Sequence, residues 1–421
     1  MSIVAILGAH WGDEGKGKIA AALSADAVAC ARFQGGPNAG HTVAVDGTEL
    51  VLRMVPSGIV AGVHGVIGGG CVIEPRMLLD EVAGLRERYP DILQRLLVSR
   101  RAHVITPRHR EQDRSGSGVG STRMGVGPAY RDRAARSGLR VADLLAGGRV
   151  PGELRATAEE FADTLGAVCG DDTARLREIL DAGGRVVAEG AQGVRLDVDH
   201  GDYPYVTSSN TTVGAVLTGL GVGPRDIGTV LLVTPAYVTK VGGGDLPSRV
   251  GPRLNAYLQE RGRELDGATG LVRDTGWLDV GWLRTACRLN QADGLVVTKV
   301  DVLAGLPTVG LYGVPGAPRV TMLPGWTAGS GYPDAGHPDP GSGPLGEFLG
   351  VVEHATGCPV QAVSYGPGTA DWWCRGPVFP EDRTTGCPAP DSRPAPGVPR
   401  GPAIAGRVGG GGRHSLAREV D

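Results

Sequence analysis

Short apolar runs, mostly of β-branched residues, recur along the chain and alternate with segments whose apolar residues repeat at helical spacing. Because the apolar runs are continuous, each is typical of a strand that is buried on both faces. Their alternation with helices predicts an α/β fold with a mostly parallel central sheet and helices on both faces. The predicted strands are 2–7, 27–33, 63–67, 185–188, 228–234, 294–298 and 361–364. The predicted helices are 75–89, 151–168, 175–182, 256–264 and 283–292.

The first predicted strand runs into GAHWGDEGKGK at residues 8–18. Its glycines allow tight turns and let backbone N–H groups approach a ligand, and the following helix directs its positive end to the same place. Together with Lys16 and Lys18, this segment predicts a phosphate-binding loop. The loop is not a Walker A motif, because glycine and lysine rather than serine or threonine follow Lys16. We therefore expect Asp13 to bind Mg²⁺, to act as a base, or to do both.

A second loop, QGGPNAGH at residues 34–41, follows the next predicted strand and supplies Asn38 and His41. Histidine is the side chain that most readily exchanges a proton near neutral pH. Later, the strand 185–188 leads into a dense polar segment in which Gln192 can both donate to and accept from a heterocycle. Such a segment is costly to order unless a ligand pairs with it, which predicts a binding site there.

The segment Thr-Lys-Val-Asp at residues 298–301 ends another predicted strand. The Asp301 carboxylate can accept hydrogen bonds from N1–H and the 2-amino group of guanine, and adenine cannot offer that pair. The stem of Lys299 can lie over the purine face. We therefore favour GTP over ATP, and the alternative is a strand end with a solvated Lys–Asp pair.

Taken together, these motifs resemble the adenylosuccinate synthetase family. The matching stretches are WGDEGKGKI, QGGPNAGHT, GVGPAYRDRAARSGLR, EGAQGVRLDVDHGDYPYVTSSNTT, DTGWLD and TKVDVLAGL, within residues 1–370. The implied fold is similar to that of P-loop NTPases but without a Walker A motif. The implied enzyme is a C–N ligase of purine biosynthesis with GTP as co-substrate and Mg²⁺ as cofactor. It phosphorylates the 6-oxygen of IMP and then displaces phosphate with the amine of L-aspartate, giving adenylosuccinate and GDP.

The resemblance also implies roles for individual residues. The catalytic residues are Asp13, which takes the N1 proton, His41, which stabilises the transferred phosphoryl group, and Gln192, which holds the purine. The GTP-binding residues are Gly12, Glu14, Gly15, Lys16, Gly17, Lys18, Lys299, Asp301, Ser364 and Gly366. The residues at the nucleotide substrate are Asn38, Thr122, Arg136, Gln192 and Thr207. The amine-substrate loop contains Val241, Thr269, Leu271 and Arg273. The metal ligands are Asp13 and the Gly40 carbonyl. Arg136 reaches the nucleotide phosphate of a neighbouring subunit, which implies a homodimer.

The sequence departs from the family pattern mainly at the amine site. Leu271 stands where the family has the arginine that binds the carboxylates of aspartate, and leucine cannot pair with a dicarboxylate. Met124 replaces an arginine of the phosphate-binding segment, and Pro37 replaces a histidine of the second loop. Three interpretations follow: the named reaction with a changed aspartate site that uses Arg273, a paralogue that joins another amine or a modified nucleotide, and a GTP-binding protein without catalysis.

Composition and charge argue against a nucleic-acid-binding, membrane or secreted protein. The chain has 421 residues with 42 basic and 45 acidic side chains, so no broad positive field for nucleic acid is expected. No apolar stretch reaches the roughly 20 residues of a membrane span, and the first residues lack the pattern of a signal peptide. Seven scattered cysteines without a CxxC pair fit a cytoplasmic protein. We expect a ligase domain at 1–380, a Pro/Gly/Arg-rich disordered tail at 381–421, and an exposed basic loop at 115–140.

Overall fold

Parallel strands form the centre of the molecule, as a computed structural model shows for residues 2–45, 47–116, 121–265, 272–327 and 342–379. The strands are β1 Ile3–Gly8, β2 Ala29–Arg32, β3 His41–Val45, β4 Thr48–Leu52, β5 His64–Ile67, β6 Val72–Ile73, β7 Leu96–Ser99, β8 His103–Val104, β9 Cys169–Gly170, β10 Val186–Gly193, β11 Ile227–Pro235, β12 Tyr237–Lys240, β13 Asp274–Asp279, β14 Gly294–Thr298, β15 Thr308–Tyr312, β16 Val320–Pro324, β17 Val360–Ser364 and β18 Trp372–Cys374.

Helices connect most of the parallel strands. The α-helices are α1 Lys16–Leu23, α2 Pro75–Arg88, α3 Ile92–Arg95, α4 Pro107–Ser115, α5 Val126–Ala134, α6 Val141–Ala146, α7 Arg155–Leu165, α8 Asp172–Asp181, α9 Gly214–Leu220, α10 Pro252–Arg261, α11 Val280–Asn290, α12 Val300–Leu303 and α13 Gly343–Thr356. No helix of the described ranges is both long and apolar enough to cross a membrane.

The central sheet has ten strands in the order β18-β17-β14-β11-β1-β10-β2-β5-β7-β9. All neighbouring pairs are parallel except the edge pair of β17 and β18. A second sheet, β12-β13-β15-β16, extends from the end of β11. Since parallel strands all end at the same edge, the loops that follow β1, β10, β2 and β14 meet there.

Apolar cores cover both faces of the central sheet. Alternate residues of β1 point to opposite sides: Ile3, Ala5 and Leu7 pack into one core, and Val4 and Ile6 pack into the other. The first core includes residues of α8, α9, α11 and α13, and the second includes residues of α1. This two-sided burial explains why the strands are continuous apolar runs.

The structure confirms the predicted α/β class, and all seven predicted strands lie in the central sheet. The helix predicted at 256–264 instead spans Pro252–Arg261, because Pro252 starts its first turn and Gly262 follows its last. The prediction of an exposed loop at 115–140 was wrong for α5. Val126 and Ala129 bury a small apolar face of that helix against Val72 and Ile105. The predicted tail boundary at residue 381 lies outside the described residues.

Candidate active site

The loop after β1 turns sharply because three of its residues adopt left-handed backbone. Gly12, Asp13 and Gly15 have φ of 93°, 58° and 88°. Gly8 must lack a side chain, since a Cβ there would lie 2.5 Å from Glu14 Oε2 and 2.6 Å from the Gln192 carbonyl oxygen. Helix α1 then begins at once, with no side-chain cap at its N-terminus. Its free N–H groups and positive end can therefore bind an anion.

Buried polar contacts hold this loop in shape. Glu14 is fully buried, pairs with Lys16, and accepts hydrogen bonds from the backbone N–H of Gly12 (2.9 Å) and His10 (3.1 Å). Glu14 is therefore a structural anchor of the loop. Thr298 at the end of β14 donates to the Glu14 carbonyl at 2.7 Å, which joins the predicted guanine-binding segment to the predicted phosphate-binding loop.

Lys18 joins the first loop to the segment after β17. Its ammonium donates to Ser364 Oγ (2.7 Å) and to the carbonyls of Gly366 (2.6 Å) and Asp371 (2.8 Å). Burial lowers the pKa of Lys18 to about 8, although Asp371 and Asp301 oppose that shift. Three predicted GTP-binding residues, Lys18, Ser364 and Gly366, are thus brought into contact.

His41 lies against a buried glutamate from β10. Its Nδ1 contacts Glu189, which also accepts from the Ser57 backbone N–H at 2.7 Å and the Ser57 hydroxyl at 2.5 Å. Burial raises the pKa of Glu189, but the charge and hydrogen bond of His41 outweigh it and the pKa falls to about 2. Burial lowers the pKa of His41, and Glu189 opposes that change. We call these three residues the His41 network.

Asp13 belongs to a longer chain of alternating charges. Arg273 Nη2 lies 2.9 Å from Asp13 Oδ2, and Arg273 Nη1 donates to Glu264 Oε2 at 3.1 Å. Glu264 Oε1 in turn accepts from the Lys299 ammonium and from the Tyr237 hydroxyl. The Glu264 side chain is fully buried, whereas that of Asp13 is 33% exposed. We call these five residues the Asp13 network.

The predicted purine-binding groups carry unpaired acceptors. Gln192 Oε1 and Asn38 Oδ1 are buried, and no described residue donates a hydrogen bond to either. Gln192 is held in left-handed backbone with a φ of 54°. A buried acceptor without a donor is costly, so both oxygens favour a ligand that brings N–H or O–H groups.

Hydrogen bonds bring the second loop, the end of β10 and helix α5 together. Gln34 donates to the Ala191 carbonyl at 2.5 Å and accepts from Ser209 Oγ at 3.2 Å. The Tyr130 hydroxyl of α5 accepts from the Gly35 N–H at 2.9 Å. Thr122 and Thr207, both half-buried, lie in the segments that these contacts join.

The predicted guanine-binding pair, Lys299 and Asp301, is positioned by the end of β14. Lys299 has a φ of 59°, and Asp301 lies in the first turn of α12. Burial raises the pKa of Asp301 above its usual value, and Lys18 and Lys299 oppose the shift. The same two lysines therefore give the Asp301 carboxylate a positive neighbourhood.

Other predicted site residues are not drawn into these contacts. Thr269 and Leu271 lie outside the described residues. Val241 follows β12, and Arg136 is exposed beyond α5 with a φ of 61°. Among the described residues, no group of three His, Cys, Asp or Glu side chains could hold a metal ion by itself. The predicted ligands, one carboxylate and the half-buried Gly40 carbonyl, suit Mg²⁺ only together with substrate phosphates.

Sequence analysis did not single out several residues that support the site. Glu189 carried one signal, a carboxylate in line with a buried apolar strand. Glu264 carried none, because tertiary packing alone brings it to Arg273. Arg195 also went unnoticed: its guanidinium lies 4.5 Å from the Trp11 ring centroid and 4.3 Å from that of Trp282, and it pairs with Asp279 at 2.5 Å. It packs the first loop against α11.

Known proteins are similar to this chain over most of its length. The adenylosuccinate synthetase family model matches residues 5–160 and 150–313. The adenylosuccinate synthetase of Thioalkalivibrio sulfidiphilus is 39% identical, with 86% of this chain and 96% of that protein covered. That of Desulforudis audaxviator is 40% identical, with 87% and 97% covered.

Solved structures are similar over most of the chain as well. Fully ligated adenylosuccinate synthetase from Plasmodium falciparum matches with a TM-score of 0.79 and 28% identity, covering 89% of this chain and 100% of that one. Succinoaminodeoxyadenylate synthetase of cyanophage S-2L, bound to dGMP and to dATP as an energy donor, matches with a TM-score of 0.63 and 25% identity, covering 90% and 96%. On sequence and fold alike, the chain belongs to the adenylosuccinate synthetase family.

Proposed function

We propose that the chain is a GTP- and Mg²⁺-dependent ligase that joins IMP and L-aspartate into adenylosuccinate, with release of GDP and phosphate. The observation that carries this proposal is that Asp13 and His41, which follow β1 and β2 of the central sheet, are each held by a charged partner, Arg273 and Glu189, while Gln192 keeps a buried, unpaired oxygen. This arrangement suits a reaction that removes a proton from one heterocycle atom while a phosphoryl group arrives at another.

In the first step, Asp13 accepts the N1 proton of IMP, and the 6-oxygen attacks the γ-phosphorus of GTP as the bond to GDP breaks. His41 stabilises the transferred group. Because its Nδ1 contacts Glu189, its Nε2 is the atom left to donate, and donation from both nitrogens requires the imidazolium form. Burial lowers the pKa of His41 on balance, and the anionic Glu189 is the group that favours the imidazolium form.

The donor set around the first loop fits Mg²⁺ bound largely through phosphate oxygens. Asp13 offers a partly exposed carboxylate and Gly40 a carbonyl. When bound, the ion neutralises the charge that develops on the phosphates. Lys16 and the N–H groups at the start of α1 add positive potential from the protein itself.

In the second step, the amine attacks C6 and the phosphate leaves with the former 6-oxygen. A phosphorylated oxygen is a far better leaving group than the original carbonyl oxygen. Gln192 and Asn38 hold the purine and nucleotide through the whole sequence, as their unpaired oxygens support. We assign Thr122 and Thr207 to the same nucleotide and Val241 to the amine substrate, and we assign all of this chemistry to residues 1–380.

A second candidate is a ligase for another amine or a modified nucleotide. The observation that favours it is the state of Arg273, whose two Nη atoms already bind Asp13 and Glu264. With Leu271 in the amine loop, an aspartate carboxylate has fewer cations to meet. The cyanophage relative is described with dGMP, so a protein of similar fold accepts a nucleotide other than IMP.

We further propose a cytoplasmic homodimer in which Arg136 contacts the nucleotide phosphate bound by the other subunit. Exposure of Arg136 in the single chain supports a role at an interface. The six cysteines in the described ranges are free and buried, which suits a reducing compartment.

The deciding experiment supplies purified protein with GTP, Mg²⁺ and IMP labelled with ¹⁸O at the 6-position, and screens amines for phosphate release. Labelled phosphate with aspartate alone supports the first candidate. Labelled phosphate with another amine, or only with another 6-oxopurine nucleotide, supports the second. Phosphate that never carries the label would exclude both, and leave a GTPase or a GTP-binding protein.

A further inference from the structure

Glu264 contacts both predicted ligand regions but has no part in the proposed reaction. Helix α10 ends at Arg261, and the chain then turns back so that the Glu264 N–H donates to the Gln259 carbonyl at 2.9 Å. Its carboxylate is completely buried between the end of β14 and the residue before β13. A buried carboxylate in this position needs cationic partners.

The two oxygens of Glu264 are divided between two sites. One oxygen accepts from the Lys299 ammonium and the Tyr237 hydroxyl. The other accepts from Arg273 Nη1 at 3.1 Å, and the same guanidinium pairs with Asp13 at 2.9 Å. A single carboxylate thus lies between the lysine expected at guanine and the arginine that touches the expected base.

The backbone around Glu264 is shaped to hold it there. The Arg273 N–H donates to the Glu264 carbonyl at 3.0 Å, and Gln259 Nε2 donates to the Arg273 carbonyl at 2.7 Å. At Gly262, a Cβ would lie 2.1 Å from the Tyr237 hydroxyl and 2.6 Å from Glu264 Oε1, so only glycine allows this approach. These contacts fix Glu264 and Arg273 together.

We propose that Glu264 is a positioning residue for two sites at once, the guanine site at Lys299 and the expected base Asp13. It anchors the Lys299 ammonium, which leaves the lysine stem to lie over guanine, and it holds Arg273 against Asp13. The inference rests on the proposed function for the roles of Lys299 and Asp13. Because both cations share one buried carboxylate, removing either changes the balance at the other site.

The first test is a double-mutant cycle on GDP binding, measured by titration calorimetry. Glu264→Gln is expected to weaken GDP about tenfold, since a lysine displaced by about 1 Å no longer lies correctly over the base. In a Lys299→Met background the same substitution should have no further effect on GDP affinity. Full additivity of the two substitutions would overturn the proposal, because Glu264 would then act independently of Lys299.

The second test needs only Lys299→Met, a substitution at a partly exposed side chain that the fold should tolerate. If Glu264 couples the sites, loss of Lys299 leaves the carboxylate to draw Arg273 from Asp13. We then expect kcat at saturating GTP and IMP to fall about tenfold, in addition to a higher KM for GTP. A raised KM with unchanged kcat would mean that Lys299 only binds guanine, and would overturn the proposal.

The matched control is Asp226→Asn. Asp226 also pairs with an arginine, Arg177, but precedes β11 at the opposite edge of the sheet. It should change neither GDP affinity nor kcat. Since the GDP cycle requires no turnover, it decides the role of Glu264 even if no amine gives product and the proposed function fails.

Discussion

The His41 network and the Asp13 network each hold one expected catalytic side chain in place, but they do so with different kinds of partner. His41 contacts Glu189, and Ser57 contacts the same carboxylate. Both partners belong to the central sheet and its connections, and neither is expected to touch a ligand. Asp13 meets a chain of charges that runs into the second sheet and ends at Lys299, beside the expected guanine. The comparison teaches that the residue proposed to stabilise the phosphoryl group is held by residues away from the expected ligands, whereas the proposed base depends on residues next to them.

The side chains of the His41 network are also more deeply buried than Asp13. Glu189 and the His41 ring are almost entirely enclosed, while Asp13 is one-third exposed. An enclosed pair keeps its geometry at the cost of desolvation, and a partly exposed carboxylate can exchange partners when substrate arrives. In the proposed reaction, Asp13 must release Arg273, or share it, to reach a proton on the purine.

The largest expected effect comes from Asp13 itself. Asp13→Asn should lower turnover by roughly a thousandfold, in the range of a lost general base, while GDP binding changes by less than about threefold. Steady-state phosphate release and calorimetry measure the two quantities. Turnover above about one-tenth of the wild-type rate would remove Asp13 from the role of base.

Glu189→Gln tests whether the enclosed side is also the more rigid one. Loss of the buried charge leaves His41 without its counterion and should reduce the free energy of unfolding by about 3 kcal/mol at pH 7. The pKa of Glu189 is lowered to about 2 in the folded protein, so its contribution is present above the ordinary value of 4.5 and is lost as pH falls from there towards 2.

Denaturant titrations at pH 7, 4.5 and 3 measure this effect. The difference between wild type and Glu189→Gln should shrink steadily as the pH is lowered. A difference that stays constant down to pH 3 would mean that the substitution acts through packing and not through charge.

Asp301→Asn sharpens the comparison at the open end of the Asp13 network. Asparagine reverses the donor and acceptor pattern seen by the base, so GTP should bind roughly 10- to 100-fold more weakly while xanthosine triphosphate improves. Competition between the two nucleotides in the phosphate-release assay gives the ratio. An unchanged preference would show that guanine is recognised elsewhere.

The smallest expected effect tests whether Arg136 of one subunit acts at the nucleotide site of the other subunit. Arg136→Leu and Asp13→Asn should each be poorly active alone, and mixing them should restore about a quarter of wild-type turnover. Half of randomly paired dimers are then mixed, and each mixed dimer has one intact site of two. No recovery after subunit exchange, with dimers present by light scattering, would mean that Arg136 serves its own subunit or none.

The sequence revealed seven of the ten strands of the central sheet because two-sided burial requires continuous apolar runs, as β1 and β11 illustrate. It missed the short strands β7, β9 and β18. It did not reveal α5, whose nine residues bury only Val126 and Ala129 and include a glycine and a proline. Hydrogen bonds from Tyr130 and packing on Val72 stabilise this helix, and neither is visible in local pattern.

The site divides in the same manner. Asp13, His41 and Lys299 could be proposed as site residues from the sequence because each lies in a compact motif at a strand end, and their roles stay predictions. Glu264 was not, since it follows a helix and reaches Arg273 only through the pairing of Leu265 with Val272 and the return of the chain. Sequence motifs indicate which residues are expected to contact the ligand, whereas the charged residues behind them, such as Glu264, are brought into place by tertiary structure.

The contacts of Lys18 have a consequence for how the protein is made. Its ammonium binds the Asp371 carbonyl, a partner 353 residues later in the chain. At typical rates of synthesis, on the order of half a minute separates the emergence of the two segments from the ribosome. Until the later one arrives, the lysine lacks its three oxygens, so a nascent or prematurely terminated chain should not yet capture GTP in the finished geometry.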